Sequence, residues 1–185
     1  VTIDVGAGDG RAVMATAIAE PTSLVIGLDA NAASMVESSR RAVRGHVSNV
    51  LFVVAAAEAI PPELVGIADQ VTISFPWGSL LSGSLGLDAA VATGIASLLA
   101  TGGEVELLLA PSPRDGLAGV PTEPATVVRA AESTFAALGF ELIEGRGATA
   151  AELAASRSTW AKRLRSGGRS ADRPVTLVRL RSSRR

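Results

Sequence analysis

Val1-Thr2-Ile3-Asp4-Val5-Gly6-Ala7-Gly8-Asp9-Gly10 decides the fold, because an apolar run passes without a break into three glycines at alternate positions. The β-branched residues at positions 1–3 and 5 read as a strand. The glycines let the chain turn tightly and let a ligand come up against the backbone. A helix follows over about positions 11–19, and Pro21 ends it. A dinucleotide fingerprint requires a further glycine at position 11, where this chain has Arg11. A Walker A loop fails as well, since no Gly-Lys-Ser/Thr follows. The loop therefore suits a nucleoside-like ligand that lacks a pyrophosphate.

Working outward, apolar runs at 23–28, 49–55, 70–74, 104–110, 140–143 and 174–180 read as six further strands. Between them, helices are expected at 31–44 with Asn31 as cap, at 87–99 closed by Gly102-Gly103, and at 123–138. Shorter helical pieces are expected at 61–63, 149–155 and 159–164, and a loop at 111–121. Strands that are nearly continuous in apolar residues and alternate with helices need cover on both faces. The expectation is an α/β domain spanning 1–185, with a doubly wound, mostly parallel seven-stranded sheet. The connection between the last two strands is too short to assign in the same way.

Composition excludes several classes. The chain has 185 residues, 48% hydrophobic and 19% charged, which is a globular balance. It has no cysteine, which removes disulfide scaffolds, thiolate nucleophiles and zinc–cysteine sites, and its one histidine, His46, cannot build a multi-histidine metal site. No apolar run reaches the eighteen or so residues of a membrane span, and no leader pattern opens the chain. The default expectations are no membrane, a cytoplasmic location and a monomer. The net charge of −1 conceals an asymmetry: residues 1–156 hold 17 acidic and 7 basic side chains, residues 157–185 hold 1 and 10. The basic segment 157–173 is either a solubilising stretch or a face for a polyanion. In the second case Arg157, Lys162, Arg163, Arg165, Arg169 and Arg173 neutralise phosphates.

The remaining chemistry gathers at strand ends. Asp29 follows the second strand, 21 residues beyond Gly8, where a carboxylate either accepts both hydroxyls of a ribose or caps a helix. Ala57-Glu58 follows the third strand, with a small residue for a purine to lie on and an acid to orient a ligand or a loop. Asp4, beside the Gly6–Gly8 turn, can meet a ligand ammonium or hold the loop's N–H groups. Together these are the usual form of an S-adenosyl-L-methionine pocket. Trp77, after the fourth strand, and Trp160, opening the basic segment, both flank loops rather than lie within apolar periodic runs. Either can be a core residue, or the two indoles can sandwich an unstacked base. Arg40 and Arg44, at i and i+4, share a helix face, either as solvated surface or as a phosphate grip.

With these residues in view, the sequence resembles the aminoglycoside-resistance methyltransferases that modify N1 of a decoding-site adenine in 16S ribosomal RNA. The resemblance rests on positions 1–10, 26–41, 49–64, 68–81 and 158–165. Its most specific parts are Ala55-Ala56-Ala57-Glu58-Ala59-Ile60-Pro61 and Phe75-Pro76-Trp77-Gly78-Ser79-Leu80-Leu81. It implies a Rossmann-like class I methyltransferase fold, S-adenosyl-L-methionine as cofactor, and 16S rRNA in the 30S subunit as partner. By the same resemblance Trp77 and Trp160 hold the flipped adenine, with Ser158 near it. Asp29 binds the cofactor ribose, Ala57 and Glu58 lie by its adenine, and Asp4 lies near the methionine end. Arg40, Arg41, Arg44, Lys162, Arg163 and Arg165 contact the RNA backbone. The family carries a short β-hairpin before its first strand, whereas this sequence starts at that strand. The 111–121 stretch is poor in charge, where the family covers its substrate pocket. A methyltransferase of the same fold acting on another RNA or a small molecule, and a non-catalytic ribosome-binding relative, stay open as alternatives.

Overall fold

The computed structural model describes residues 1–157 and 173–183. One sheet runs through all of it, in the order β3-β2-β1-β4-β5-β7-β6. Strands β1 (Thr2–Val5), β2 (Val25–Asp29), β3 (Val50–Val54), β4 (Ala68–Ser74) and β5 (Leu99–Leu109) pair in parallel. Strand β7 (Thr176–Ser182) inserts antiparallel between β5 and β6 (Phe140–Gly147). The doubly wound, mostly parallel, seven-stranded sheet is the expected one. The final connection is longer than expected, spanning positions 148–175, and β7 returns antiparallel to both of its neighbours, a pairing that needs no crossover helix.

Two apolar layers cover the two faces. On one, α4 (Ala89–Ser97) and α5 (Pro124–Ala136) bury Val91, Ile95, Val127 and Phe135 against Ile3, Ile26, Val71 and Val105. Phe135 also meets Phe140 edge-on, with ring centroids 5.7 Å apart. On the other face, α1 (Arg11–Ala19) and α2 (Ala32–Arg44) bury Val13, Ala17 and Met35 against Val25 and Val50. Burial on both sides is why the strands lack polar alternation. No single described helix is long and apolar enough to cross a membrane.

The antiparallel end is fastened by charge as well. Arg179 on β7 lies in register with Glu106 on β5 and Glu144 on β6, and bonds to them at 2.8 and 3.0 Å. Arg181 bonds to Glu104 at 2.6 Å. Arg146 of β6 forks onto Glu152 of α6 (Ala150–Ala155) at 2.6 and 2.9 Å, and reaches Glu144 at 2.7 Å. Glu152 also closes a capping box with Thr149.

A short helix, α3 (Gly78–Ser84), occupies the rim segment, to which the sequence assigned no element. Three local expectations change. The helix expected at 87–99 ends at Ser97, and Gly102-Gly103 lies inside the long strand β5 instead of closing a helix. Gly103 packs so near the Ala68 carbonyl that a Cβ would stand 2.7 Å from it, which accounts for glycine there. The 111–121 loop contains a 3-10 turn, Pro113–Asp115, with a Ser112–Asp115 capping box. The helical piece expected at 159–164 lies outside the described residues.

Candidate active site

The carboxyl ends of β1, β2, β3 and β4 open on one edge of the sheet, where loops must leave and where ligands bind in such sheets. A cavity of about 550 Å³ lies there. It is walled by the glycine loop, by the turns after β2 and β3, and by the Phe75–Leu80 rim. Asp4, Gly6, Gly8, Asp29, Ala57, Glu58 and Trp77, all singled out in the sequence, line this one space.

The glycine loop is built as its sequence requires. Gly6, Gly8 and Gly10 take φ of 77°, 55° and 69°, a region that other residues adopt at a cost. Gly10 also sits where a Cβ would collide with Phe52 and Ser38, so the start of α1 packs directly on its neighbours. Asp29 holds this loop from the next strand. Its Oδ2 accepts from the Gly8 N–H at 2.8 Å, and its Oδ1 from the Asn31 N–H at 2.8 Å. Asn31 itself is the cap of α2, accepting from the Ala33 N–H. Asp29 is thus a cross-strand clamp with each oxygen still open to a second donor, since a carboxylate oxygen has two lone pairs.

Asp4 lies deeper. The Thr72 hydroxyl donates to its Oδ1 at 2.8 Å. Burial raises the Asp4 pKa to about 6; the Thr72 hydrogen bond pulls the other way, and the nearby Asp29 adds to the rise. The charged side chains lining the cavity are Asp4, Asp9, Asp29 and Glu58, and no Lys or Arg joins them among the described residues. That lining repels a pyrophosphate and attracts a cation. A ligand bearing a sulfonium and an ammonium fits it, as does a nucleoside whose ribose hydroxyls meet Asp29.

At the rim, Phe75 takes the left-handed φ of 56° although it is not glycine. Such a residue costs of order 1–3 kcal/mol unless its surroundings hold it. Here the buried ring packs with Leu108 and Leu177, against Leu153 of α6 and Val175. The turn aims Trp77 outward, where it is 81% exposed although it is the largest apolar side chain of the rim. Trp77 is therefore no core residue.

The basic positions divide. Arg41 and Arg44 both bond to Glu37 at 3.0 Å, which holds the Glu37 carboxyl below its usual range. This arrangement, rather than a lone Arg40–Arg44 face, organises the end of α2. That end lies roughly 15–20 Å along the helix from Asn31 at the cavity. Arg157 and Arg173, expected to face phosphates, turn inward: Arg157 donates to the Ala15 carbonyl at 2.5 Å, and Arg173 bonds to Asp115 at 2.8 Å and to Ser112. The acidic body offers these arginines nearby partners. Ser158, Trp160, Lys162, Arg163, Arg165 and Arg169 lie outside the described residues.

Two contributors carry weaker sequence signals. Gly94 of α4 lets the Ala57 turn approach the helix, and nothing in the sequence marks it. Thr72 stands in register with Asp4 across β4 and β1, which strand alternation alone does not reveal.

Residues 1–179 match the model of the NpmA family, described as 16S rRNA (adenine(1408)-N(1))-methyltransferase. The chain belongs to this family. Among family members, the 16S rRNA (adenine(1408)-N(1))-methyltransferase of Streptoalloteichus hindustanus is 34% identical over 178 residues, covering 90% of this chain and 80% of that protein. Its Escherichia coli counterpart is 44% identical over 85 residues, covering 44% of this chain and 39% of that protein. Of solved structures, a tryptophan-to-alanine mutant of the 16S rRNA (adenine(1408)-N(1))-methyltransferase from Catenulisporales acidiphilia, with cosubstrate SAM, superposes with a TM-score of 0.83 at 30% identity. The match covers 99% of this chain and 85% of that one. The aminoglycoside resistance methyltransferase NpmB1 superposes with a TM-score of 0.73 at 36% identity, covering 98% and 86%.

Proposed function

We propose that this chain transfers a methyl group from S-adenosyl-L-methionine to N1 of adenine 1408 of 16S rRNA in the 30S subunit, and so confers aminoglycoside resistance. The observation that carries the reading is an acid-lined nucleoside cavity with a solvent-exposed indole, Trp77, at its mouth. An NAD site is disfavoured by the loop itself, where Arg11 stands in place of the third glycine of the dinucleotide fingerprint.

When bound, S-adenosyl-L-methionine supplies an electrophilic methyl on a sulfonium. Gly6 and Gly8 present backbone to it, Asp29 accepts from its ribose, Ala57 and Glu58 border its adenine, and Asp4 receives its ammonium. The N1 lone pair of adenine lies in the plane of the ring and needs no base before attack. The task of the protein is alignment, and holding reacting atoms at near-attack distance can supply much of the barrier reduction. Trp77 stacks on one face of the flipped base. Trp160 is assigned the other face and Ser158 the edge. Arg40, Arg41, Arg44, Lys162, Arg163 and Arg165 are assigned to the RNA backbone. In this reading the enzyme works as a monomer in the cytoplasm.

The test is primer extension across the decoding region after incubating 30S subunits with the protein and S-adenosyl-L-methionine. A stop at adenine 1408 is expected. Methyl incorporation elsewhere in the RNA would point to the same fold with another target, and 30S binding without transfer would point to a non-catalytic relative.

A further inference from the structure

Asp4 sits within β1 between two neighbours in register, Gly27 on β2 and Thr72 on β4. Gly27 brings no side chain. Thr72 is therefore the in-register side chain from an adjacent strand, and its hydroxyl donates to Asp4 Oδ1 at 2.8 Å. Among the described residues, Asp4 Oδ2 accepts no hydrogen bond, and Asp4 lines the cavity whereas Thr72 does not. One carboxylate oxygen is tied down from behind while the other is left to the ligand.

We infer that Thr72 is a positioning residue: it orients the Asp4 carboxylate and keeps it anionic, so that Oδ2 receives the ammonium of S-adenosyl-L-methionine. The inference rests on the reading above for the ligand, while the Thr72–Asp4 relation itself stands on the geometry. The charged groups around Asp4 all work against ionisation. Asp29 comes from the end of β2, Asp9 from the loop after β1 and Glu58 from the turn after β3, with no basic side chain in the lining among the described residues. Burial is the largest influence and also favours the neutral acid. The Thr72 hydroxyl is the counterweight, because a hydrogen bond donated to a carboxylate favours its charged form. The folded pKa of Asp4 is raised to about 6, so the anion prevails above that pH and is lost below it. Removing the hydroxyl moves that boundary upward, toward neutrality.

Thr72→Val keeps the shape and deletes the donor. Calorimetry from pH 5.5 to 9 is expected to show S-adenosyl-L-methionine binding weakened roughly fivefold at pH 6 and roughly twofold at pH 7, recovering toward pH 9, with the acid limb displaced upward. Thr72→Ser is expected to restore the wild-type profile. Carboxyl carbon-13 titration of Asp4 in cofactor-free protein, assigned with Asp4→Asn, is expected to show the same upward displacement in Thr72→Val. An unmoved titration overturns the inference, as does a binding loss equal at every pH. If the wild type fails to bind S-adenosyl-L-methionine but the titration still moves, the ligand reading falls and the positioning role of Thr72 stands. Should Thr72→Val not fold, Thr72→Ala replaces it under the same criteria.

Discussion

The backbone of Gly94 on α4 lies against the carbonyl of Ala57, so closely that a Cβ built there would stand 1.7 Å from that oxygen. The helix and the turn after β3 are therefore in backbone contact, and the turn is a wall of the cavity. Gly94→Ala must push the two apart. Overpacking of this kind costs about 1–3 kcal/mol. We expect a lower melting temperature and weaker S-adenosyl-L-methionine binding together, measured by thermal unfolding and calorimetry. A variant with wild-type affinity would show that the 55–58 turn is not part of the ligand site.

Trp77 stands out in water, so its removal should hardly affect the fold. Trp77→Ala is expected to change stability by no more than about 0.5 kcal/mol and to leave S-adenosyl-L-methionine affinity within about twofold. Stacking on a base is worth about 1–3 kcal/mol, so methylation of 30S subunits should fall by roughly tenfold or more. Equal losses of both activities would argue against a base platform.

Asp29→Ala behaves in the opposite way. It leaves the N–H groups of Gly8 and Asn31 without their acceptor and removes the carboxylate assigned to the ribose. Each unsatisfied donor costs about 1–3 kcal/mol where it is buried. Calorimetry should show S-adenosyl-L-methionine binding reduced by at least about tenfold, with RNA docking in a filter assay much less affected.

The Arg146–Glu152 fork makes an acid-dependent contribution to stability. The hydrogen bond from Arg146 is the main cause that holds the Glu152 carboxyl down, from its ordinary value of 4.5 to about 2. A depressed carboxyl stabilises the fold fully above its unfolded value and loses that contribution as pH falls through the folded one. Arg146→Gln should therefore melt below the wild type at pH 6, and the gap should close between about pH 4.5 and pH 2. The pair is partly exposed, so added salt should narrow the gap as well. A gap independent of both pH and salt would contradict the assignment.

The fold was largely legible because its signals are local. The run from Val1 to Gly10, the apolar strands and the spacing of Asp29 each state their structure within a few residues. The cavity residues were legible for a related reason: in a parallel sheet, a polar residue just after an apolar run can only lie at the carboxyl edge. What escaped reading depends on distant partners. Gly102-Gly103 carries the composition of a helix stop, yet Gly103 is there for the Ala68 carbonyl on the neighbouring strand. Segment 78–84 received no element from the sequence, and it forms α3, with Leu81 buried in the core. Arg157 and Arg173 were grouped with the basic run, but their guanidinium groups find the Ala15 carbonyl and Asp115, residues 142 and 58 positions away. Nothing in a linear charge count separates an arginine that folds back from one that faces outward.

Trp77 has one more consequence, an optical one. An indole bathed in solvent emits at long wavelength and is open to quenchers; stacking against a nucleobase shields it and drains its excited state. The side chain that we assign to gripping the adenine is thus also a built-in fluorophore, able to report docking in real time without any label.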